Sequence, residues 1–357
     1  MATAIILLLV PVGWSVGHAM TMPGGGSMSQ RLAEWARDHY LGPVVTFGEW
    51  LTYQPPKVGG KPSFALTGPS AAPPKKLHKV VTYPPPQQLT SMAGKPLAGE
   101  GVWRVLDTAH GQPAIYGTYL RPSSVYSSYV AGIVSMNQKL VRFELRPGVE
   151  DPGPGNWHAM SYIPPSQRRG LLATFNSGFK ISSSGGGFFL NGVTRGTLTP
   201  GVASVVYYRD GHIAIGNWDG AVRMTPDVAA VRQNLHLIVS NGYVPSSVDS
   251  NVEASWGATL GGGYYVWRSG IGLTADGRVI FVYGPALNVR ELAELMRHAG
   301  VVTGMELDIN PAWMSFMYYL NAQTSNPKPV ALLPTQAQAP NRYYSPSSRD
   351  FTAAYAK

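Results

Sequence analysis

Residues 301–313, Val-Val-Thr-Gly-Met-Glu-Leu-Asp-Ile-Asn-Pro-Ala-Trp, combine a strand pattern with two carboxylates. Apolar residues alternate with Glu306 and Asp308, which predicts a strand with one apolar and one acidic face. At a rise of about 3.3 Å per residue, these two acidic residues are expected to lie roughly 6–7 Å apart. Pro311 cannot donate a hydrogen bond to a neighbouring strand, so the strand is expected to stop there.

A helix is predicted directly before this strand, over residues 288–300. Its apolar residues recur with a 3.6-residue period, Asn288 suits the N-cap and Gly300 suits the C-terminal cap. The helix should pack on the strand and deliver an acidic strand end into a loop. Such an end is found at functional sites and, about as often, in ordinary solvent-exposed loops.

Composition limits the class of protein. The 357 residues are 44% hydrophobic and only 13% charged, which indicates a packed chain with a weakly charged surface. The absence of cysteine excludes disulfides, cysteine–zinc sites and a thiol nucleophile. The net charge is +9, but the basic residues are scattered and the one basic patch, Lys75-Lys76-Leu77-His78-Lys79, is short. We therefore expect no nucleic-acid partner.

The N-terminus has the pattern of an export signal. An apolar run covers residues 4–14, and Gly17-His18-Ala19 has the small-x-small spacing of a cleavage site. A basic n-region is missing, so residues 1–22 are interpreted as a signal peptide or a signal-anchor. The protein is accordingly expected to be extracellular or in the cell envelope, with membrane attachment through the N-terminus as an open alternative.

The rest of the chain divides by composition. Residues 23–96 are predicted to be a proline-rich linker with one short helix at residues 29–37, and residues 334–357 an irregular tail. The body, residues 97–333, contains many alternating apolar runs, and Asp-Gly turns at Asp210 and Asp276 indicate hairpins. The predicted class is α+β, a strand-rich mixed sheet body with a few packing helices.

Several predicted strands of the body end in polar groups. Asn176, Ser177 and Gly178 follow one apolar run, Asn241 follows another, and Arg268 follows the short run Tyr265-Val266-Trp267. Glycine permits close approach of a ligand to the backbone, and an arginine fork matches the oxygens of a phosphate. Each feature alone is equally typical of an ordinary turn or a surface ion pair.

Other chemistries find no support in the sequence. The glycine run at residues 185–187 lacks the Gly-Lys-Ser/Thr ending of a nucleotide-binding loop. The eight histidines form no metal-binding pair, and no Gly-x-Ser-x-Gly motif is present. No cofactor is expected. Oxygen atoms of Glu306, Asp308 and Asn310 can serve as ligands to a divalent cation, although nothing in the sequence demands one.

The order of these segments resembles the phosphodiester glycosidase family over about residues 171–316. Asn176, Gly178 and a following phenylalanine match its Asn-Gly-Gly-Phe-Phe motif, with Ser177 in place of a glycine. Arg268 and Gly272 match its Arg-Thr-Ala-Ile-Gly strand. Leu307 and Asp308 match the start of its Leu-Asp-Gly-Gly-Gly-Ser motif; here residues 309–312 replace the glycines and serine, and Glu306 replaces an asparagine.

The resemblance implies hydrolysis of a sugar-1-phosphodiester at the anomeric carbon. On this hypothesis Asp308 is the base or nucleophile, Glu306 is a second carboxylate, and Arg268 holds the departing phosphate. The predicted substrate-binding residues are Asn176, Gly178, Arg268, Asn241 and Asn310. Because an exported protein meets the cell wall, the expected partner is a carbohydrate or glycosyl-phosphate substrate in a bacterial envelope glycopolymer or glycoconjugate. The carboxylate spacing leaves the stereochemical course open.

Two alternatives remain open at the level of sequence. One is a non-catalytic wall-polysaccharide-binding or scaffolding protein that kept the fold, since exposed aromatic rings can also stack on sugars without cleaving them. The other is a glycoside hydrolase that acts on substrates without phosphate. An inactive but binding-competent Asp308 variant distinguishes the first from an enzyme, and an Arg268 variant with unchanged rate would favour the second.

Overall fold

The computed structural model describes residues 2–21, 27–68, 83–250, 253–257, 259 and 264–357. The basic patch at residues 75–79 and part of the predicted linker lie outside these ranges. The α-helices are α1 (Ala2–Thr21), α2 (Met28–Asp38), α3 (Gly42–Thr52), α4 (Glu253–Trp256) and α5 (Val289–His298).

The strands account for most of the described body. They are β1 (Arg104–Ala109), β2 (Gln112–Leu120), β3 (Ala131–Asn137), β4 (Val141–Arg146), β5 (Leu171–Asn176), β6 (Phe188–Leu190), β7 (Val193–Arg195), β8 (Ala203–Tyr208), β9 (Ile213–Asn217), β10 (Val228–Gln233), β11 (Leu237–Val239), β12 (Val266–Thr274), β13 (Arg278–Leu287), β14 (Val301–Glu306), β15 (Phe316–Leu320), β16 (Lys328–Ala331) and β17 (Phe351–Ala356). The predicted α+β class with a strand-rich body is confirmed.

The strands form three sheets. The largest has the order β1-β2-β3-β13-β12-β14-β11, and two five-stranded sheets have the orders β7-β6-β10-β8-β9 and β16-β15-β5-β17-β4. Every described strand pair within these sheets is antiparallel. Short connections such as the hairpins at Asp210 and Asp276 favour antiparallel neighbours, whereas parallel neighbours need long crossovers.

Helix α5 packs on the largest sheet as its sequence predicts. The Asn288 side chain accepts from the Glu291 N–H at 2.7 Å, and the Glu291 carboxylate accepts from the Asn288 N–H at 3.2 Å. The apolar face of the helix is buried (Val289, Leu292, Ala293, Leu295 and Met296). Strand β14 then runs beneath the helix and ends at Glu306, four residues before Asn310, where the sequence predicts the end of the acidic strand.

The end of the chain is not an irregular tail. Strand β17 lies between β5 and β4, and it pairs with β5 from Asn176 to Leu171 and with β4 from Arg146 to Val141. Burial of its apolar residues against both neighbours explains why this short run is a strand. The body therefore extends beyond residue 333, and residues 347–350 directly precede an interior strand.

The N-terminal residues form helices. The predicted short helix is present as α2, with a capping box between Ser27 and Gln30, whereas α3 lies in a segment predicted to be linker. Among the described residues, no helix combines the length and apolarity needed to span a membrane. Helices α1 and α2 pack together and reach the body, where they contribute to the site described below.

Glycines allow α5 to lie flush on the sheet. An alanine methyl at Gly272 would lie 3.0 Å from Cε of Met296, which lies on α5, and 2.4 Å from Cγ1 of Val301 on β14. We expect Gly272→Ala to lower the free energy of unfolding by about 1–3 kcal/mol through overpacking. Urea denaturation measures this, with Gly220→Ala as the control because its methyl would lie 3.3 Å from the nearest atom, the Asn217 oxygen. Equal stability of the two variants would contradict this packing.

Candidate active site

The backbone after β14 is turned towards the interior by two hydrogen bonds. The Leu307 N–H donates to the Ser269 carbonyl at 2.8 Å, and the Asp308 N–H donates to the Ser177 carbonyl at 3.0 Å. The Asp308 Oδ1 atom accepts from the Asn310 N–H at 2.9 Å, which fixes the carboxylate. Asp308 is thus held where β12, β14 and the loop after β5 meet.

The Asp308 carboxylate is buried but only partly satisfied. The residue is 3% exposed, and its Oδ2 atom has no hydrogen-bond partner. Burial raises the pKa of Asp308 to about 6, while the nearby Arg349 charge acts in the opposite direction. The carboxyl group therefore changes its protonation state close to neutral pH, as general bases and nucleophiles in active sites do.

Arg349 is the cation nearest to this carboxylate. Its Nη2 atom lies 3.6 Å from Asp308 Oδ2, and its Nη1 atom lies 4.0 Å from Asp151 Oδ2. The residue is only 7% exposed, and both Nε and Nη1 lack hydrogen-bond partners. Buried guanidinium N–H groups without acceptors are costly, so this arrangement fits an anionic ligand that would supply them.

A second buried ion pair supports the backbone next to Arg349. Arg232 donates from Nε to Asp350 Oδ2 at 2.8 Å and from Nη1 to the Gln233 carbonyl at 2.9 Å. Its Nη2 atom also donates to the Phe179 carbonyl. Because Asp350 follows Arg349 directly, Arg232 ties the end of the chain to the loop after β5.

An aromatic ring lies between two arginines at the edge of the site. The Trp313 ring centroid is 5.1 Å from the Arg342 guanidinium carbon and 5.6 Å from that of Arg349. Arg342 also donates to the carbonyls of Ala312 and Trp313 at 3.2 and 3.3 Å. The indole N–H donates to Glu34 Oε1 of α2 at 3.2 Å.

A cavity of about 460 Å³ lies between the body and the N-terminal helices. Asp308 and Arg349 do not line it, but Arg349 directly follows the wall residue Ser348, and its guanidinium carbon lies 5.6 Å from the ring of the wall residue Trp313. The Lys180 side chain extends from the body to α2, and its Nζ atom lies 2.9 Å from Asp38 Oδ2 and 3.8 Å from Glu34 Oε1. The wall is formed by α1 (Ser15, His18, Ala19), by α2 and the residue after it (Arg31, Glu34, Trp35, Asp38, His39) and by the body (Val149, Glu150, Asp151, Pro154, Lys180, Ser182, Trp313, Ser348).

Glu306 and Arg268 form a buried pair beneath the site. Arg268 Nη1 lies 2.5 Å from Glu306 Oε1, and Arg268 Nε donates to the Leu287 carbonyl at 3.1 Å. Glu306 is fully buried and Arg268 is 1% exposed. Burial raises the pKa of Glu306 to about 6 against the effect of the Arg268 charge. The arginine expected at a substrate phosphate is therefore engaged by a neighbouring carboxylate inside the protein.

Asn176 and Gly178 lie close to Asp308 but contact protein groups. The Asn176 amide donates to Ser269 Oγ at 2.9 Å and to the Ser177 carbonyl at 3.1 Å, and its oxygen accepts from the Ser315 N–H at 3.1 Å. A methyl group at Gly178 would lie 3.1 Å from the Asn234 side-chain oxygen. These two residues hold together the strands around the site.

Of the remaining predicted substrate-binding residues, Asn310 lies at the site and Asn241 does not. Asn310 lies at the site, where its N–H holds Asp308 and its side-chain oxygen accepts from the Ala312 N–H at 2.9 Å. Asn241 is exposed in a turn whose Gly242 N–H donates to the Val302 carbonyl, at the opposite end of β14. Four residues of strand, about 13 Å, separate that end from Glu306, so Asn241 is not brought to the site.

Of the oxygen atoms proposed for a divalent cation, one on each residue is already engaged, whereas Glu306 Oε2 and Asp308 Oδ2 have no partner. Glu306 Oε1 faces Arg268, Asp308 Oδ1 accepts from a backbone N–H, and the Asn310 side chain closes its own turn. Within the described part of the chain, no cluster of three or more histidine, aspartate or glutamate side chains has an arrangement that could hold a metal ion.

Sequence reasoning missed Arg349, Asp151 and Trp313. Arg349 lies in the segment predicted to be an irregular tail, although the apolar run at residues 351–356 was a usable strand signal. Asp151 reaches the site through a parallel bridge between its backbone and that of Arg349, a long-range contact without a local pattern. Trp313 falls within the stretch quoted first but carries no signal of its own.

A buried carboxylate with a raised pKa, next to an arginine with unpaired N–H groups, is the kind of site used by hydrolases that act on anionic substrates. Residues 170–308 match the model of the phosphodiester glycosidase family, and the predicted resemblance to this family is thereby confirmed for this part of the chain. This family comprises glycosidase-type hydrolases. The match ends at Asp308 and does not include Asp151, Trp313 or Arg349.

Solved structures with similarity to the chain share little sequence with it. The catalytic domain of zebrafish N-acetylglucosamine-1-phosphodiester alpha-N-acetylglucosaminidase, auto-inhibited by its pro-peptide, is 14% identical, covers 76% of this chain and 94% of its own, and has a TM-score of 0.44. A hypothetical protein from Synechocystis is 11% identical over 70% of this chain and 63% of its own, with a TM-score of 0.37. No curated protein matches the chain.

The raised pKa of Asp308 has a consequence for stability. An acid whose pKa is higher in the folded state stabilises the fold at low pH, and that contribution is lost as the pH rises through the folded pKa of about 6. Asp308→Asn cannot ionise, so we expect it to melt roughly 2–6 °C above wild type at pH 7.5, with the difference vanishing near pH 4. Calorimetry across this range checks the sign, and a variant that melts lower at pH 7.5 would contradict it.

Proposed function

We propose that the protein hydrolyses a sugar-1-phosphodiester linkage. The observation that carries this proposal is the unpaired Oδ2 atom of Asp308, 3.6 Å from a buried arginine whose Nε and Nη1 atoms also lack partners. A phosphate bound by these N–H groups would bring the adjoining anomeric carbon towards the carboxylate. Family membership of residues 170–308 supports the same reaction class.

Each group has a role that its chemistry allows. Asp308, once ionised, serves as nucleophile or as the stabiliser of positive charge that develops at the anomeric carbon. Arg349 binds the phosphate, which departs as a monoester anion and so needs little proton donation. Trp313 lines the cavity and offers aromatic surface to the sugar, and its ring lies 5.1 and 5.6 Å from the guanidinium carbons of Arg342 and Arg349. Glu306 and Arg268 support Asp308 from below.

Access to Asp308 requires movement of the N-terminal helices. Asp308 is almost fully buried, and α2 lies against its surroundings through the Trp313–Glu34 hydrogen bond and the contacts of Lys180 with Glu34 and Asp38. The Lys180 contacts are partly exposed ion pairs, which contribute little to stability, so displacement of α2 costs less than rearrangement of the core. Substrate then enters through the wall formed by Trp313 and α2.

We also propose that the protein acts outside the cytoplasm, on a cell-envelope glycopolymer or glycoconjugate. The apolar run at residues 4–14 supports export, either by cleavage near Ala19 or by retention at the membrane. One observation favours the alternative of a non-catalytic wall-binding protein: Asp308 is buried, and α2 packs against the residues around it, which blocks access of a substrate. Turnover measurements decide between the two.

We expect wild-type protein to release phosphate monoester from UDP-N-acetylglucosamine or from purified wall polymer, and kcat/KM to rise through an apparent pKa near 6 as Asp308 ionises. Asp308→Asn should lower the rate by at least about 100-fold while polymer binding is retained. The absence of turnover by both proteins, with binding intact, would favour the wall-binding alternative.

The proposed phosphate-binding role of Arg349 is tested by comparing two substrates, one with a phosphodiester and one without phosphate. Arg349→Gln should lower kcat/KM for the phosphodiester by roughly 100-fold or more, and Arg349→Lys should restore part of the loss, since the charge returns without the planar fork. Hydrolysis of a nitrophenyl glycoside with the same sugar, which contains no phosphate, serves as the control. Equal losses on both substrates would contradict a phosphate-binding role and indicate a structural one.

A further inference from the structure

The cavity wall contains one carboxylate that also approaches the buried guanidinium. Asp151 Oδ2 lies 4.0 Å from Arg349 Nη1, while Asp308 Oδ2 lies 3.6 Å from Nη2 of the same group. Both carboxylates therefore approach the same guanidinium, and glycoside hydrolases work with two carboxyl groups that face one substrate, roughly 5–9.5 Å apart.

The position of Asp151 is fixed by several contacts. The Ile181 N–H donates to its Oδ2 atom at 3.0 Å, and Arg232 Nη2 lies 3.8 Å from the same oxygen. Its backbone forms a parallel bridge with Arg349, and its carbonyl accepts from the Asp350 N–H at 3.1 Å. The carboxylate is therefore preorganised beside the candidate phosphate-binding arginine.

Exposure distinguishes Asp151 from the other acids around the arginines. Its side chain is 16% exposed, compared with 4% for Asp308, 1% for Asp350 and none for Glu306. Asp151 also lines the cavity, whereas the other three lie behind the wall. Water that enters the cavity consequently reaches Asp151 before it reaches Asp308.

We propose that Asp151 is the general base that takes a proton from the attacking water. This inference rests on the proposed phosphodiester hydrolysis and replaces Glu306 as the second carboxylate. An O–H bond of water breaks, its proton passes to the Asp151 carboxylate, and the water oxygen bonds to the anomeric carbon. The bond from that carbon to its leaving oxygen breaks, and the electron pair departs with the phosphate monoester in a single displacement or with Asp308 in a double displacement.

Azide provides a direct test because it attacks carbon without losing a proton. We expect Asp151→Asn in the full chain to lose about 100-fold or more in turnover of UDP-N-acetylglucosamine. Sodium azide should restore the rate at least about tenfold and yield a glycosyl azide detectable by mass spectrometry, as expected when only deprotonation of water is missing. Asp151→Ser provides a second variant should the asparagine disturb the fold.

Glu150→Gln is the matched control. Glu150 lines the same cavity, and its backbone N–H donates to the Ser348 carbonyl at 3.0 Å. We expect no glycosyl azide from this variant. Rescue of Glu150→Gln, or an Asp151 loss that azide fails to restore, would overturn the assignment of Asp151. An absence of turnover by wild type would instead overturn the proposed function together with this inference.

Discussion

The guanidinium of Arg349 is the charge around which the site is organised. A buried cation is stable only when its charge is compensated, and here Asp308 and Asp151 supply the compensation at 3.6 and 4.0 Å without closing all the hydrogen bonds. Arg349 is held in this position although its charge is only partly compensated, because the strand that follows it, β17, is paired on both sides. The satisfied Arg232–Asp350 pair one residue further on anchors the same backbone.

The other elements of the site follow from that constraint. Strand β14 brings Asp308 to one side of the guanidinium, and the parallel bridge brings Asp151 to the other. Beneath them, the Asn176 side chain connects β5 with β12 and with the segment before β15, because it donates to Ser269 Oγ and accepts from the Ser315 N–H. The Glu306–Arg268 pair neutralises charge in the interior of the largest sheet. Asp308 and Arg349 thus meet with unpaired Oδ2, Nε and Nη1 atoms.

Local sequence patterns predicted the helix and the strand that lead to Asp308. The alternation around Glu306 and the cap at Asn288 predicted the strand and the helix, and they placed Asp308 at the end of a strand; its burial was not predicted. The prediction for Asn241 was wrong because a polar residue after a strand does not indicate at which edge of the sheet that strand ends. The antiparallel pairing of β11 with β14 places Asn241 far from Asp308. Asp151 and Arg349 meet through a bridge between distant parts of the chain, which neither periodicity nor spacing reveals.

The most direct measurement is calorimetric titration of N-acetylglucosamine 1-phosphate into wild-type protein and into Arg349→Gln, with free N-acetylglucosamine titrated in parallel. If the unpaired N–H groups of Arg349 bind the substrate phosphate, the phosphate will increase the affinity of wild type by about tenfold or more, and the variant will lose that increment while its weak sugar binding remains. An unchanged preference for the phosphorylated sugar in Arg349→Gln would contradict the account.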